Sequence, residues 1–445
     1  MILSAEIVLP ISRPPVYNGA ILIKNEKIEE IDIRERLFDK YKNEEYLNLK
    51  NSVLMPGLIN LHTHLELTAL KGSIISKNNT AIPSEKTDLV SWILALIESK
   101  KKTSTNNLSL GIKNGIREAI STGTTTIVDL TTRNTIYSTS VFGKSFYAIK
   151  DIGLRGFVFV EVLNFDSSTA DSYWKDTYKI IEQMRKDEDP LTSIGIAPHS
   201  IYSVSSKLLK IARDYAIKEK MKMSMHVAES MEEKNFVSKN KGIIKDIYHK
   251  KFNWDGKRDF KRYQSSIEYI DKNGLLSKDL LAVHCVQLTD EDMKRLSEKN
   301  TPVVLCPRSN TFISVGIAPF DKLASMGITI GFGTDSLASN YSLNMWDEMR
   351  FAYLFYRKTS RANIKAEDII RCGTINGAKA LGISNKVGTL GIGKEADLIA
   401  VRLHKKDTDI YRDLLLNTKP DDVLMTMVAG KIIHSSGIEG LKNVN

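Results

Sequence analysis

Residues 56–64 read PGLINLHTH, and the run continues into Leu65 and Glu66. Pro56-Gly57 breaks the chain, a short apolar stretch follows, and it ends in two histidines separated by one residue. In a strand, residues two apart face the same side, so His62 and His64 can turn their imidazoles towards one ion. Neutral imidazole is a good ligand for Zn²⁺ or Fe²⁺. An isolated His-x-His is also compatible with ordinary core or surface histidines, so its meaning depends on the rest of the chain.

Working outward, strand-like apolar runs alternate with longer helical patterns, the mark of repeated βα units and a parallel sheet. The runs fall at 58–62, 124–130, 156–163, 193–198, 222–227, 281–286, 302–307 and 329–333. Eight such strands close a (β/α)₈ barrel of the TIM type, an α/β fold. Helical stretches lie between them, for example at 89–101, 108–121 and 205–220, and others follow the last strand at 345–357, 366–372 and 376–381. The barrel is expected to span 56–385. The flanks differ. Strands at 20–24 and 27–33 surround a turn at Asn25-Glu26, with another at 52–54; strands at 397–402, 422–429 and 431–434 follow the glycine-rich turn 388–397. Neither flank is long enough to bury a sheet alone. Residues 1–55 and 386–445 are therefore expected to join as one small β-sandwich. A long polar segment at about 231–273 reads equally as a lid or as helical decoration.

Active sites of such barrels sit at the C-terminal ends of the strands. The polar residues found there are His62 and His64, His199, His226 with Glu229 three residues on, His284, Arg308-Ser309-Asn310, and Asp335. Five of the eight histidines in the chain occupy these ends. His226 is the next ligand candidate. His284 reads as a fourth ligand or a proton-transfer group, and Asp335 as a carboxylate ligand that also serves as base. Three nitrogens and one oxygen leave a position open for water, as in catalytic rather than structural sites. A metal there lowers the pKa of that water to about 7. Glu229, just past a strand end, is suited to take a proton from the water and pass it to a substrate nitrogen; the plainer alternative is an acid at a helix N-terminus.

The chain has 445 residues, a formal net charge of +10 and scattered lysines, with clusters at 100–102, 239–245 and 257–262. This is expected to be a solvated lysine-rich surface rather than a nucleic-acid groove, with positive potential that helps draw in an anionic substrate. Three cysteines, Cys285, Cys306 and Cys372, give no disulfide framework and no CxxC pair. The N-terminus lacks a signal-peptide pattern and no apolar run reaches membrane-spanning length, so a cytoplasmic protein is expected, with no membrane partner. A homodimer is the default oligomer.

With these residues in view, the chain resembles the amidohydrolase superfamily. The likeness rests on PGLINLHTH at 56–64, HVAE at 226–229, His284 in AVHCV, GTDS at 333–336 and GTLGIGKEADLIAV at 388–401. It covers almost the whole chain. The resemblance implies one metal, Zn or Fe(II), held by His62, His64, His226 and Asp335. Dinuclear members carry a bridging lysine on a middle strand; His199 stands at the end of the fourth strand instead. HxxE after the fifth strand looks like the mononuclear deaminase and chlorohydrolase branch. That likeness implies proton handling by Glu229 and His284, and substrate contact by His199. HTHLELTALKG at 62–72 and GFVFVEVLN at 156–164 look most like the aminofutalosine deaminases of menaquinone biosynthesis. Their substrate is an adenine nucleoside with a carboxylated benzoyl group in place of the 5′ hydroxyl, and its carboxylate requires a cation. Arg133, Arg308 and Lys71 are candidates, with Ser309 and Asn310 as further substrate contacts. Trp92 and Phe312 offer rings for stacking, although core packing suits Trp92 better. Rival readings are a deaminase of S-adenosylhomocysteine, methylthioadenosine or guanine, a triazine-type chlorohydrolase, and a catalytically silent scaffold. Gly388–Lys394 mimics a P-loop, but Glu395 replaces the required Ser/Thr. The zinc motif of cytidine deaminases is absent.

Overall fold

The structure, a computed structural model, describes residues 1–73, 89–132, 141–246, 263–360, 363–404 and 409–438. Eight parallel strands form the central sheet: Leu58–Thr63, Thr124–Thr132, Arg155–Val162, Thr192–Pro198, Met223–Val227, Leu280–His284, Val303–Leu305 and Ile330–Phe332. They are hydrogen-bonded in chain order. The eighth strand meets the first through the Asp335 N–H, which donates to the His62 carbonyl at 2.9 Å. Gly333 permits this close approach, because a Cβ there would lie 2.5 Å from that of His62. The sheet is thus a nearly closed barrel, and the strands agree with the expected runs to within a few residues. Each is buried throughout or nearly so, which is why they read as continuous apolar runs rather than alternating ones.

Both termini build the second sheet. Its order is Lys431–Ser435, Val423–Val428, Leu398–Arg402, Tyr46–Pro56, Ile2–Val8, Gly19–Lys24, Lys27–Ile33, with Val16–Tyr17 paired to Ile2–Val8. Only Ile2–Val8 and Tyr46–Pro56 run parallel. Both wings contribute to one apolar core, with Ile21, Ile23 and Ile28 from one side and Leu398, Ala400 and Met425 from the other. Asn25 and Glu26 form the tight turn, with φ of 46° and 69°.

The barrel is locked to this sheet by a buried charge cluster. Arg155 donates to Asp397 from Nε at 2.8 Å and Nη2 at 3.0 Å, and to Glu395 from Nη2 at 2.6 Å. Asp397 also accepts the Ala429 N–H at 2.8 Å. The Lys394–Asp397 stretch, KEAD, is therefore an inter-sheet clamp.

The segment expected at 231–273 contains helices Met231–Lys239 and Ser266–Lys272; residues 247–262 lie outside the described ones. All three cysteines are buried and free. Among the described residues, no helix is long and apolar enough to cross a membrane.

Candidate metal centre and active site

The strand ends converge as the barrel geometry requires. Ring nitrogens of His62, His64 and His226 lie within 4.8 Å of one another, as do the ligand atoms of His62, His284 and Asp335. Asp335 Oδ1 is 3.5 Å from His62 Nε2 and 3.8 Å from His64 Nε2. Donor atoms around a tetrahedral ion with bonds of about 2.1 Å stand roughly 3.4 Å apart, so this spacing fits. His62 is fully buried, and neither of its ring nitrogens has a hydrogen-bond partner among the described residues. Such an orphaned imidazole is costly unless something else uses its lone pair. Burial also lowers the pKa of His62, His64 and His226, which keeps them in the neutral, metal-binding form. His226 donates Nδ1–H to the His199 carbonyl at 2.9 Å, leaving Nε2 free. By donor type, spacing and protonation, these residues fit a divalent metal.

Several of the residues sit at unusual backbone angles. Ala228, His284, Cys285 and Asp335 have φ of 53°, 72°, 48° and 58°. Non-glycine residues adopt this region only when their surroundings enforce it. Glu233, fully buried, accepts the N–H groups of Ala228 at 2.8 Å and Glu229 at 2.9 Å. The Ala228 carbonyl in turn accepts from Val286 at 2.9 Å and Gln287 at 2.7 Å. This network turns Glu229 into the cavity.

The cavity measures about 430 Å³ and is lined by His64, His199, His226, His284, Glu229 and Asp335, with Glu66, Lys100, Glu161, Trp92 and Tyr202 among the walls. Burial pushes the Glu229 carboxyl up to about 7, although His284 opposes this. Its Oε1 lies 3.5 Å from His284 Nε2. His284 Nδ1 donates to Asn310 Oδ1 at 2.9 Å, so Nε2 is the nitrogen that faces Glu229. Burial would raise Asp335, but His62, His284 and His64 hold it well below the ordinary carboxylate value. Its outer oxygen accepts from Ser309 Oγ at 2.5 Å and Ser339 Oγ at 3.0 Å. His199 Nδ1 is 2.7 Å from Ser203 Oγ.

Three expected substrate contacts have other jobs. Arg308 does not face the cavity: it is 4% exposed, and its Nε donates to Glu348 at 2.6 Å while the guanidinium covers the Tyr341 ring. A buried carboxylate, Glu348, needed that charge. Ser309 steadies Asp335, and Asn310 orients His284. Lys71 is exposed and not part of the lining, and Arg133 lies outside the described residues. Phe312 packs against the core, whereas Trp92 lines the cavity with its indole N–H donating to the Ala338 carbonyl at 3.2 Å.

The strand-end reading missed four buried acids or pairs. Asp129 accepts the Leu65 N–H at 2.7 Å and is pushed up to about 7 by burial. Glu66 and Lys100 form a buried ion pair in the cavity wall. Burial would raise the Glu161 carboxyl, but the neighbouring His199 and His64 together with the Thr132 hydroxyl hold it below its ordinary value. Glu233 anchors the Glu229 turn. For Asp129 and Glu161 the signal was a lone acid inside an apolar strand.

The sequence profile of the amidohydrolase family matches residues 53–433. An aminodeoxyfutalosine deaminase from Nitratiruptor sp. is 30% identical over 405 residues, covering 90% of this chain and 92% of that one. A 5-methylthioadenosine/S-adenosylhomocysteine deaminase from Syntrophobacter fumaroxidans is 27% identical over 425 residues, 93% of this chain and 88% of that one. The crystal structure of an adenosine deaminase from Xanthomonas campestris with bound zinc has the same fold, with a TM-score of 0.79 at 24% identity, covering 97% of this chain and 92% of that one. The chain belongs to the amidohydrolase family.

Proposed function

We propose that this enzyme is a metal-dependent hydrolytic deaminase of an adenine nucleoside, with aminodeoxyfutalosine as first-choice substrate. The observation that carries the reading is the meeting of His62, His64, His226 and Asp335 with the Glu229–His284 pair in one cavity. Those four residues would hold a divalent ion, whose Lewis acidity would make hydroxide available near neutral pH. Glu229, poised near neutrality, accepts a proton and delivers it to the ring nitrogen beside the carbon that bears the amino group. His284, whose Nδ1–H is held by Asn310, presents Nε2 to Glu229 and accepts a hydrogen bond from that carboxyl while it carries the proton, keeping the proton in line for transfer. Asp335, held ionised, takes the proton of the hydroxyl newly added at that carbon and passes it to the amino group, which leaves as ammonia as the C–N bond breaks. His199 is a substrate contact at the cavity wall.

The Nitratiruptor relative and the two motifs at 62–72 and 156–164 favour aminodeoxyfutalosine, which would join the enzyme to menaquinone biosynthesis. A second reading, methylthioadenosine, draws on the wall itself. Among the described lining residues are Glu66, Glu161, Glu229 and Asp335 against Lys100, which Glu66 already pairs. An uncharged 5′ group suits that wall; a carboxylate tail needs a cation from elsewhere, and Arg133 remains the candidate. The test is ammonia release across aminodeoxyfutalosine, methylthioadenosine, S-adenosylhomocysteine, adenosine and guanine, with metal analysis of the same sample. Highest kcat/KM on aminodeoxyfutalosine supports the first choice. Preference for guanine, or no bound zinc or iron and no rescue by adding either, overturns the reading.

A further inference from the structure

Glu161 is used neither by the metal set nor by the proton transfers. It is the one acid in Arg155–Val162, is 2% exposed and lines the cavity. Its Oε2 accepts a hydrogen bond from the Thr132 hydroxyl. Its Oε1 is equally buried and has no hydrogen-bond partner among the described residues. Lys100 is paired with Glu66, and His199, which lies within 4.8 Å of the Glu161 carboxylate, makes no hydrogen bond to Oε1. A buried carboxylate oxygen left in this way calls for a donor, and in a binding cavity the ligand is the natural source.

The chemistry of an adenine nucleoside narrows which donor that is. N1, N3 and N7 of the base only accept, and N9 carries the sugar. The base has one donor, the exocyclic amine, which is the leaving group and belongs beside Glu229 and Asp335. The remaining donors are the hydroxyls of the ribose.

We infer that Glu161 accepts a hydrogen bond from a ribose 2′ or 3′ hydroxyl and makes the enzyme selective for ribonucleosides over their deoxy counterparts. The inference rests on the adenine-nucleoside reading above. A site built to bond a hydroxyl rejects the analogue that lacks it, because the buried partner is then left unpaired. Glu161 is thus a specificity-determining residue.

The experiment compares kcat/KM for adenosine, 2′-deoxyadenosine and 3′-deoxyadenosine, and for the same three forms of methylthioadenosine, in wild type, Glu161→Gln and Glu161→Leu. In wild type, loss of the recognised hydroxyl is expected to lower kcat/KM by about tenfold to a hundredfold, the range for a charge-assisted hydrogen bond. Glutamine keeps the shape but offers a weaker neutral acceptor, so the ribo-to-deoxy ratio should shrink several-fold. In Glu161→Leu the ratio should approach one. Wild-type indifference to both hydroxyls overturns this inference alone and needs no variant. An unchanged ratio in Glu161→Gln also overturns it. Absence of ammonia from every adenine ribonucleoside refutes the proposed function and this inference with it.

Discussion

Replacing Glu229 by glutamine separates chemistry from stability. Burial raises this carboxyl from 4.5 to about 7. That is about 2.5 units, or on the order of 3 kcal/mol at about 1.36 kcal/mol per unit. The raised value means that folding favours the protonated form. The stabilisation is complete below about pH 4.5 and is lost as pH rises through about 7. Glutamine stays neutral, so Glu229→Gln should be more stable than wild type at pH 8 and nearly equal at pH 4. The gain of about 3 kcal/mol is a ceiling, because a bound dication draws the carboxyl back down. Activity should move the other way. Glutamine has the same reach but no transferable proton, and kcat should fall by about a hundredfold to ten-thousandfold, the usual share of a positioned acid–base group. In wild type, kcat/KM should also fall about tenfold per pH unit once pH drops below the Glu229 value, which is about 7 at most and lower with the dication bound, as the accepting carboxylate becomes protonated. The assays are ammonia release on the best substrate, metal content, and urea unfolding at pH 4 and pH 8 with and without chelator. A metal-loaded Glu229→Gln retaining more than about a tenth of wild-type kcat would refute the proton-transfer role. A variant less stable than wild type at pH 8 would refute the burial argument.

His62→Ala and Asp335→Ala should each bring bound metal from about one ion per chain towards zero by elemental analysis; full occupancy in either removes that residue from the ligand set. Asn310→Ala frees His284 from its set tautomer and should lower kcat by roughly tenfold to a hundredfold with little change in KM, and a rise in KM alone would return Asn310 to a substrate-contact role. Arg155→Met strands Asp397, which is buried, and should cost about 3–5 kcal/mol in urea unfolding. The metal-loaded Arg155→Met should keep its kcat, because the clamp lies between barrel and companion sheet; loss of turnover in the folded variant would place the clamp in the chemistry instead.

The barrel was legible because its signals are local. Strand runs, the turns that end them and the two-residue alternation of His62 and His64 depend on neighbours in sequence, so they can be read without the fold. The clustering of histidines at strand ends needed one further step, the rule that a barrel gathers those ends at one mouth. Ile2–Val8 and Val16–Tyr17 have no strand reading in the sequence; Ile2–Val8 takes its longest pairing from Tyr46–Pro56, which is distant in the chain.

The tasks of the charged residues were decided by the tertiary structure. Arg308 stands at a strand end and reads as a cavity cation, yet its partner Glu348, 40 residues later, fills the same buried space and claims it. Lys100 belongs by sequence to a solvated lysine cluster, but the helix Leu89–Lys102 turns it inward onto Glu66. Ser309 and Asn310 act through Asp335 and His284, to which they are brought only by barrel closure. Glu161 and Asp129 are visible as lone acids in apolar strands, but whether such an acid meets a partner, a ligand or solvent is set by what covers it. Periodicity is a property of the chain, so the sequence by itself determined the barrel and the histidine-rich corner of its mouth. The electrostatic environment of a side chain is a property of the packed interior, so only the folded structure determined which charges are spent on architecture and which remain for the substrate.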